Sequence, residues 1–344
     1  MRTFLELPTA ELATVFHDWN LPAYRGAQVR RWVFVRKITA FDQMTDLPKE
    51  LRMQLAETFG TILQGKEIAR QHSGDSSQKL LIEWQDGERS ECVLLQNDRH
   101  HRTACVSAQV GCMMKCAFCA SGMDSFVRNL TKGEILEQLL RLNALLPNDE
   151  RLTHIVVMGI GEPMLNLDAL LAALDEATVT DALDISVRRV TISTVGIPKG
   201  IRKLAESDKG YTLAVSLHAP NDELRSQIIP HNRSTSIAEI MAATDEYFHT
   251  TGRRVTFEYT LIEGLNDQPE HIAQLANLLH ERAAMVNVIP LNPVPELGFR
   301  APSGKSVQRF AEQLERRGIQ VKVRFRKGDK IAAACGQLRA IRDV

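Results

Sequence analysis

The stretch Arg189-Val-Thr-Ile-Ser-Thr-Val-Gly-Ile-Pro-Lys-Gly-Ile-Arg-Lys-Leu-Ala-Glu-Ser-Asp-Lys-Gly-Tyr-Thr-Leu-Ala-Val-Ser-Leu217 reads as strand, helix, strand. Its ends, Arg189 to Thr194 and Tyr211 to Leu217, are short runs rich in β-branched and aliphatic residues. Between them, Pro198 stands where a helix can begin, and Ile201, Leu204 and Ala205 recur at the spacing of one apolar helix face. Two parallel strands need such a crossover.

The unit repeats in both directions. Further strand candidates are Thr103 to Gln109, His154 to Gly159, Arg254 to Ile262, Val286 to Leu291 and Ile319 to Phe325. Helical patterns fill the gaps at Lys132 to Leu146, Leu167 to Ala177, Pro198 to Glu206, Ile237 to Thr250, Glu270 to Ala283 and Lys305 to Arg316. The fold class is therefore α/β, and six successive units with right-handed crossovers predict a partial (βα)6 TIM-like barrel. An open doubly wound sheet is the competing architecture. N-terminal to the barrel, Thr9 to Asp18, Gly26 to Arg36 and Leu47 to Phe59 read as helices of a small domain over residues 1–70. Asp86-Gly87 between Lys79 to Gln85 and Glu88 to Gln96 marks a β-hairpin connector over 71–100. Residues 101–344 form the barrel, with a last strand and a cysteine-bearing loop.

Composition excludes several classes. Apolar residues are 44% and charged residues 24% of the 344, ordinary for a globular protein. Mean hydropathy is −0.17, and no stretch approaches the ~20 apolar residues of a membrane span. The first residues carry Glu6 and Pro8 where a signal peptide has its apolar run, so the chain is expected in the cytoplasm, without a membrane partner. Forty-two basic residues balance forty-two acidic ones, so any nucleic-acid surface must come from local clustering.

In either architecture chemistry collects at the carboxyl ends of the strands. After the first strand comes Cys112-x3-Cys116-x2-Cys119, three thiolates on one loop. Soft thiolates select zinc or iron–sulfur clusters. A structural zinc site is normally closed by four ligands, and no Cys-x2-Cys or His-x3-His partner lies nearby. Three cysteines on a four-iron cluster would leave one iron open to a small molecule, and buried thiols are the remaining possibility. Two lookalike motifs fail. Gly159-Ile-Gly161-Glu162-Pro163-Met164 has Met164 where a dinucleotide fingerprint needs its third glycine, and Pro302 interrupts the loop ending in Gly304-Lys305-Ser306.

The run Cys105-Val-Ser-Ala-Gln-Val-Gly-Cys112-Met-Met-Lys-Cys116-Ala-Phe-Cys119 resembles the first-strand motif of radical S-adenosylmethionine (radical SAM) enzymes. Gly159 to Pro163, Ser193-Thr194-Val-Gly196, Ser216-Leu217-His218-Ala-Pro-Asn221, Asn287 to Pro293 and Ala334-Cys335-Gly-Gln-Leu338 follow in the order seen in the RlmN/Cfr family of RNA adenine methyltransferases. The resemblance covers about Tyr24 to Leu338. It implies a [4Fe–4S] cluster on Cys112, Cys116 and Cys119 whose open iron chelates S-adenosylmethionine. It implies cofactor binding by Gly161, Glu162, Ser193, Ser216, Leu217, His218 and Asn292. By itself His218 reads as a satisfied core histidine. Cys335 would be methylated from one cofactor molecule, and a 5′-deoxyadenosyl radical from a second would abstract a hydrogen so that the carbon adds to adenine. Cys105 would then resolve the protein–RNA adduct as a disulfide with Cys335, with Glu91 as the base that removes the ring proton. A solvated hairpin carboxylate is the plainer reading of Glu91, and Cys92 reads as packing.

Charge clustering points to RNA separately. Tyr24 to Thr39 holds Arg25, Arg30, Arg31, Arg36 and Lys37 with no acid, interleaved with Tyr24, Trp32 and Phe34. In the last strand Lys322, Arg324 and Arg326 alternate with Val321, Val323 and Phe325, which predicts one basic face and one buried face; a basic face is usually solvated surface, but this one runs directly toward Cys335. The resemblance thus implies a monomeric enzyme forming 2-methyladenine in 23S rRNA and in some tRNAs, with a reducing electron donor such as a flavodoxin. A C8-adenine methyltransferase of the same family and a non-catalytic iron–sulfur RNA-binding protein are the alternatives. Intact Cys105, Cys335 and Glu91 weigh against the latter, since binding needs none of them.

Overall fold

A computed structural model describes residues 3–97, 100–324, 328 and 331–339 of the chain. Phe325 and Arg326, expected to continue the last strand, lie outside the described residues. The strands are β1 (Lys66–His72), β2 (Gln78–Glu83), β3 (Arg89–Gln96), β4 (Arg102–Cys105), β5 (Gln109–Val110), β6 (Arg128–Asn129), β7 (His154–Val157), β8 (Val190–Thr194), β9 (Thr212–Ser216), β10 (Val255–Leu261), β11 (Ala284–Pro290) and β12 (Val321–Val323). Ten of them form one sheet in the order β1-β2-β3-β4-β7-β8-β9-β10-β11-β12. Within this sheet the β1 to β4 neighbours pair antiparallel and the pairings from β4 through β7 to β12 are parallel, while β5 and β6 form a separate antiparallel pair.

Six helices cross between the parallel strands: α4 (Lys132–Ala144), α5 (Leu167–Thr178), α6 (Pro198–Glu206), α8 (Ile237–Thr251), α9 (Pro269–Leu279) and α10 (Gly304–Glu315). The partial barrel expected from the repeat is therefore the fold. Local chemistry sets the helix starts, with capping boxes Thr131/Glu134 on α4 and Ser236/Glu239 on α8 and Pro198 and Pro269 at first-turn positions. Strand alternation then sorts the side chains. Leu213, Val215, Phe257, Tyr259, Val286 and Val288 join the core under the helices, while Ser216, Glu258 and Thr260 line the lumen.

The N-terminal segment is helical as expected, with α1 (Thr9–Asp18), α2 (Tyr24–Arg30) and α3 (Lys49–Phe59), and α2 runs on into a π-helical turn over Arg31–Val35. Much of its basic and aromatic run holds it to the barrel. The Arg30 guanidinium is buried against Glu176 of α5 at 2.5 Å, and Lys37 Nζ donates to the carbonyls of Leu146, Pro147 and Glu150 at 3.0, 2.7 and 2.9 Å. Trp32 and Phe34 are buried, which leaves Tyr24, Arg31 and Arg36 exposed and Arg25 half-buried. Among the described residues no helix is long and apolar enough to cross a membrane.

Candidate active site

The cysteine loop leaves the sheet after β4. The expected strand Thr103 to Gln109 is split, because β5 turns away to pair with β6 and so clasps the ends of the loop. Gly111 makes the turn possible, since its φ is +70° and a Cβ there would lie 2.1 Å from the Ser125 carbonyl oxygen. Cys112, Cys116 and Cys119 all border one cavity in the lumen. Burial raises each thiol, that of Cys112 to about 11, and the neighbouring thiols push the same way. Three thiolates bordering one cavity would need a cationic centre to compensate them, and that donor set fits an iron–sulfur cluster. Among the described residues no three His, Cys, Asp or Glu side chains gather closely enough for a single metal ion.

Gly161, Glu162, Ser193, Ser216, His218 and Cys335 border the same cavity. The φ of Gly161 is +103°, and a Cβ there would meet that of Gln109 at 2.5 Å, so only glycine lets β7's loop approach. Burial pushes the Glu162 carboxyl up to about 7 against the pull of the Val195 and Met164 N–H groups and the Thr194 hydroxyl. His218 Nδ1 accepts the Thr260 N–H at 2.9 Å, which leaves the ring proton on Nε2, and burial lowers its pKa to about 3. The imidazole is a neutral donor. The Leu217 side chain packs in the main core instead, so only its backbone can serve the cavity. Asn292 lies beside the neighbouring hollow, donating to the Cys335 carbonyl at 3.0 Å, with its Oδ1 unpartnered among the described residues.

Two of the three residues named for chemistry on RNA share a hollow, and the third lies on the neighbouring strand. Cys105 on β4 and Cys335 border one hollow, and both thiols are free. Val93 is the register partner of Cys105, and alternation puts Glu91 on the same face of β3, while Cys92 points into the opposite core. Glu91 is not a solvated carboxylate. It is 4% exposed, pairs with Lys79 Nζ at 2.8 Å and accepts the Arg339 N–H at 2.8 Å. Burial raises its pKa, while Lys79 and the Arg339 N–H oppose the rise.

The basic face that carries Arg324 runs toward Cys335, as the sequence suggests. Asn287 is paired with Lys322 and Val288 with Val323, so the hydrophobic residues of β12 turn toward the helices and Arg324 turns into the lumen. There it borders the hollows that contain Cys335, with Nη1 directed at Met158 Sδ. Two further buried charged residues were not foreseen. Glu258 of β10 is buried in the same cavity. Arg225 of α7 (Asp222–Ile228) is fully buried and ties the strand ends together through the carbonyls of Val195, Ser216 and Leu217.

Residues 106–276 match the model of the radical SAM superfamily, and residues 3–60 match that of the ribosomal RNA large subunit methyltransferase N-terminal domain. A probable dual-specificity RNA methyltransferase RlmN of Rhodopirellula baltica is 55% identical over 92% of this chain and 85% of its own length. This chain belongs to the RlmN family. Its relative in Symbiobacterium thermophilum, with the same description, is 46% identical over 96% of this chain and 89% of its own. The crystal structure of a radical SAM methyltransferase from Sphaerobacter thermophilus superposes with a TM-score of 0.95, at 40% identity, over 99% of this chain and all of that one. Radical SAM enzymes use a [4Fe–4S] cluster and S-adenosylmethionine, the pair that the three-thiol loop fits.

Proposed function

We propose that this RlmN-family chain methylates C2 of adenine in 23S rRNA and in some tRNAs through a methylated cysteine. The observation that carries the reading is that Cys105 and Cys335 border one hollow and Cys335 also borders the cavity of the three-cysteine loop, with Glu91 on the face of β3 that carries Val93, the register partner of Cys105. Cys112, Cys116 and Cys119 would hold the cluster, and Gly161, Glu162, Ser193, Ser216, His218, Asn292 and the Leu217 backbone would seat the S-adenosylmethionine. Together those groups supply reductive cleavage of the cofactor and a carbon radical able to abstract hydrogen. Cys335 carries the methyl group, since its half-buried thiol lies between the cysteine loop and Cys105. Glu91, kept charged by Lys79, takes the C2 proton of the adduct, and Cys105 releases the base by forming a disulfide with Cys335. A flavodoxin-type electron donor, a monomeric state and a cytoplasmic setting belong to the same proposal.

Reconstituted protein, reductant, cofactor and an adenine-containing 23S fragment should give 2-methyladenosine on nuclease digestion and mass spectrometry. The 8-methyl isomer would overturn the position. Cys105→Ala should trap RNA covalently, because addition proceeds while release cannot. Normal turnover by that variant would overturn the two-cysteine scheme.

A further inference from the structure

Glu258 lies at the middle of β10, with Ser216 of β9 and Asn287 of β11 as its register partners on either side. Its side chain points into the lumen, 4% exposed, in the cavity bordered by the cysteine loop, Glu162, Ser193 and His218. Asn287 Nδ2 donates to Oε1 at 3.1 Å. Oε2 is buried and, among the described residues, has no hydrogen-bond partner. A buried carboxylate oxygen left unmatched is costly, and a ligand that supplies donors is one explanation for such an atom in a native cavity.

The surroundings restrict that ligand. A lone carboxylate repels phosphate and carboxylate groups, and one carboxylate oxygen is too little for a metal site. Burial raises the Glu258 pKa, while Arg324, Asn287 and Lys322 oppose the rise, and the two cations disfavour a further cation beside it. What remains is an uncharged donor pair. Glu258 lies two residues deeper along its strand than Thr260, whose N–H meets His218. A ligand that reached it from the cysteine loop would therefore present its middle rather than the end held at that loop. We propose that Glu258 is a cofactor-binding residue whose Oε2 accepts hydrogen bonds from the ribose diol of the S-adenosyl group, with Asn287 as the residue that positions it. The assignment rests on the radical SAM reading above.

The test measures equilibrium binding to the anaerobic, cluster-loaded protein, using S-adenosylhomocysteine and its 2′,3′-dideoxy analogue. Glu258→Gln should weaken the first by about tenfold or more, the usual loss for a hydrogen bond to a charged group, and leave the second within about twofold of wild type. Glu258→Asp, which keeps the charge but retracts it, should reproduce the pattern if Glu258→Gln does not fold. Equal losses for both ligands, or none, would overturn the diol contact. The exocyclic amine of the target adenine offers the same donor chemistry. Unchanged nucleoside binding, with weakened binding of adenine RNA relative to RNA carrying unsubstituted purine at that position, would move Glu258 to the RNA and overturn its assignment to the cofactor. Failure of the wild-type protein to bind either nucleoside would sink the radical SAM reading along with this one.

Discussion

A carboxylate can act as a base in a dry site only if something keeps it ionised there. Burial pushes Glu91 up and Lys79, 2.8 Å away, pulls it down. The net shift is upward, so the step that needs the carboxylate should run at high pH and fail on acidification, at a pH above the ordinary glutamate value of about 4.3. Lys79→Met removes the opposing charge and should move that acid limb further alkaline in a pH profile of adduct resolution. Glu91→Gln keeps the shape without basicity, so Cys335 methylation and cofactor consumption should continue while a protein–RNA adduct accumulates, with resolution slowed by ~10² to 10⁴. Product at a near wild-type rate would remove Glu91 from the mechanism. Glu91 and the cysteines were legible because a thiol or a carboxylate at a motif position has few other uses. Glu258 was not, since strand alternation divides side chains between two faces without saying which one is the lumen.

Helices and strands were legible in proportion to how much their own residues decide. α6 and α1 fall where the periodicity puts them, because a proline start and an apolar stripe are local properties. β1, Lys66-Glu-Ile-Ala-Arg-Gln-His72, lacks alternation because it is the edge strand, where charged residues discourage further pairing. The same distinction bears on RNA binding. In the π-helical turn and α2, Arg30, Trp32 and Phe34 serve packing, and Tyr24, Arg25, Arg31 and Arg36 retain access to solvent. Arg25→Glu with Arg31→Glu should therefore weaken RNA binding and flatten its dependence on salt, by about one in the logarithmic slope for each phosphate no longer neutralised. Arg324→Glu should leave that slope alone and damage cofactor binding instead, since it puts a second carboxylate beside Glu258. An unchanged slope in the α2 double variant would return those arginines to ordinary surface.

At the scale of the molecule, the antiparallel strands β1 to β3 continue the barrel sheet, and the helical segment is fixed to α4 and α5 by cations. Lys132 Nζ donates to the Leu7 carbonyl at 3.0 Å, Lys37 holds three carbonyls, and Arg30 meets Glu176 with both side chains largely shielded from water. The sequence could not show this docking, because each partner pair is separated by more than a hundred residues. Arg30→Ala leaves Glu176 buried with a weakened set of partners, a change that typically costs about 3–5 kcal/mol, and denaturant unfolding should register it. If the fixed position of the helical segment orients RNA toward the barrel mouth, the same variant should cleave cofactor without RNA at the wild-type rate and methylate RNA poorly. A stability loss below about 1 kcal/mol would mean the pair is screened like a surface ion pair. Full RNA methylation despite a large loss would mean that RNA finds the barrel mouth without help from the docked helices.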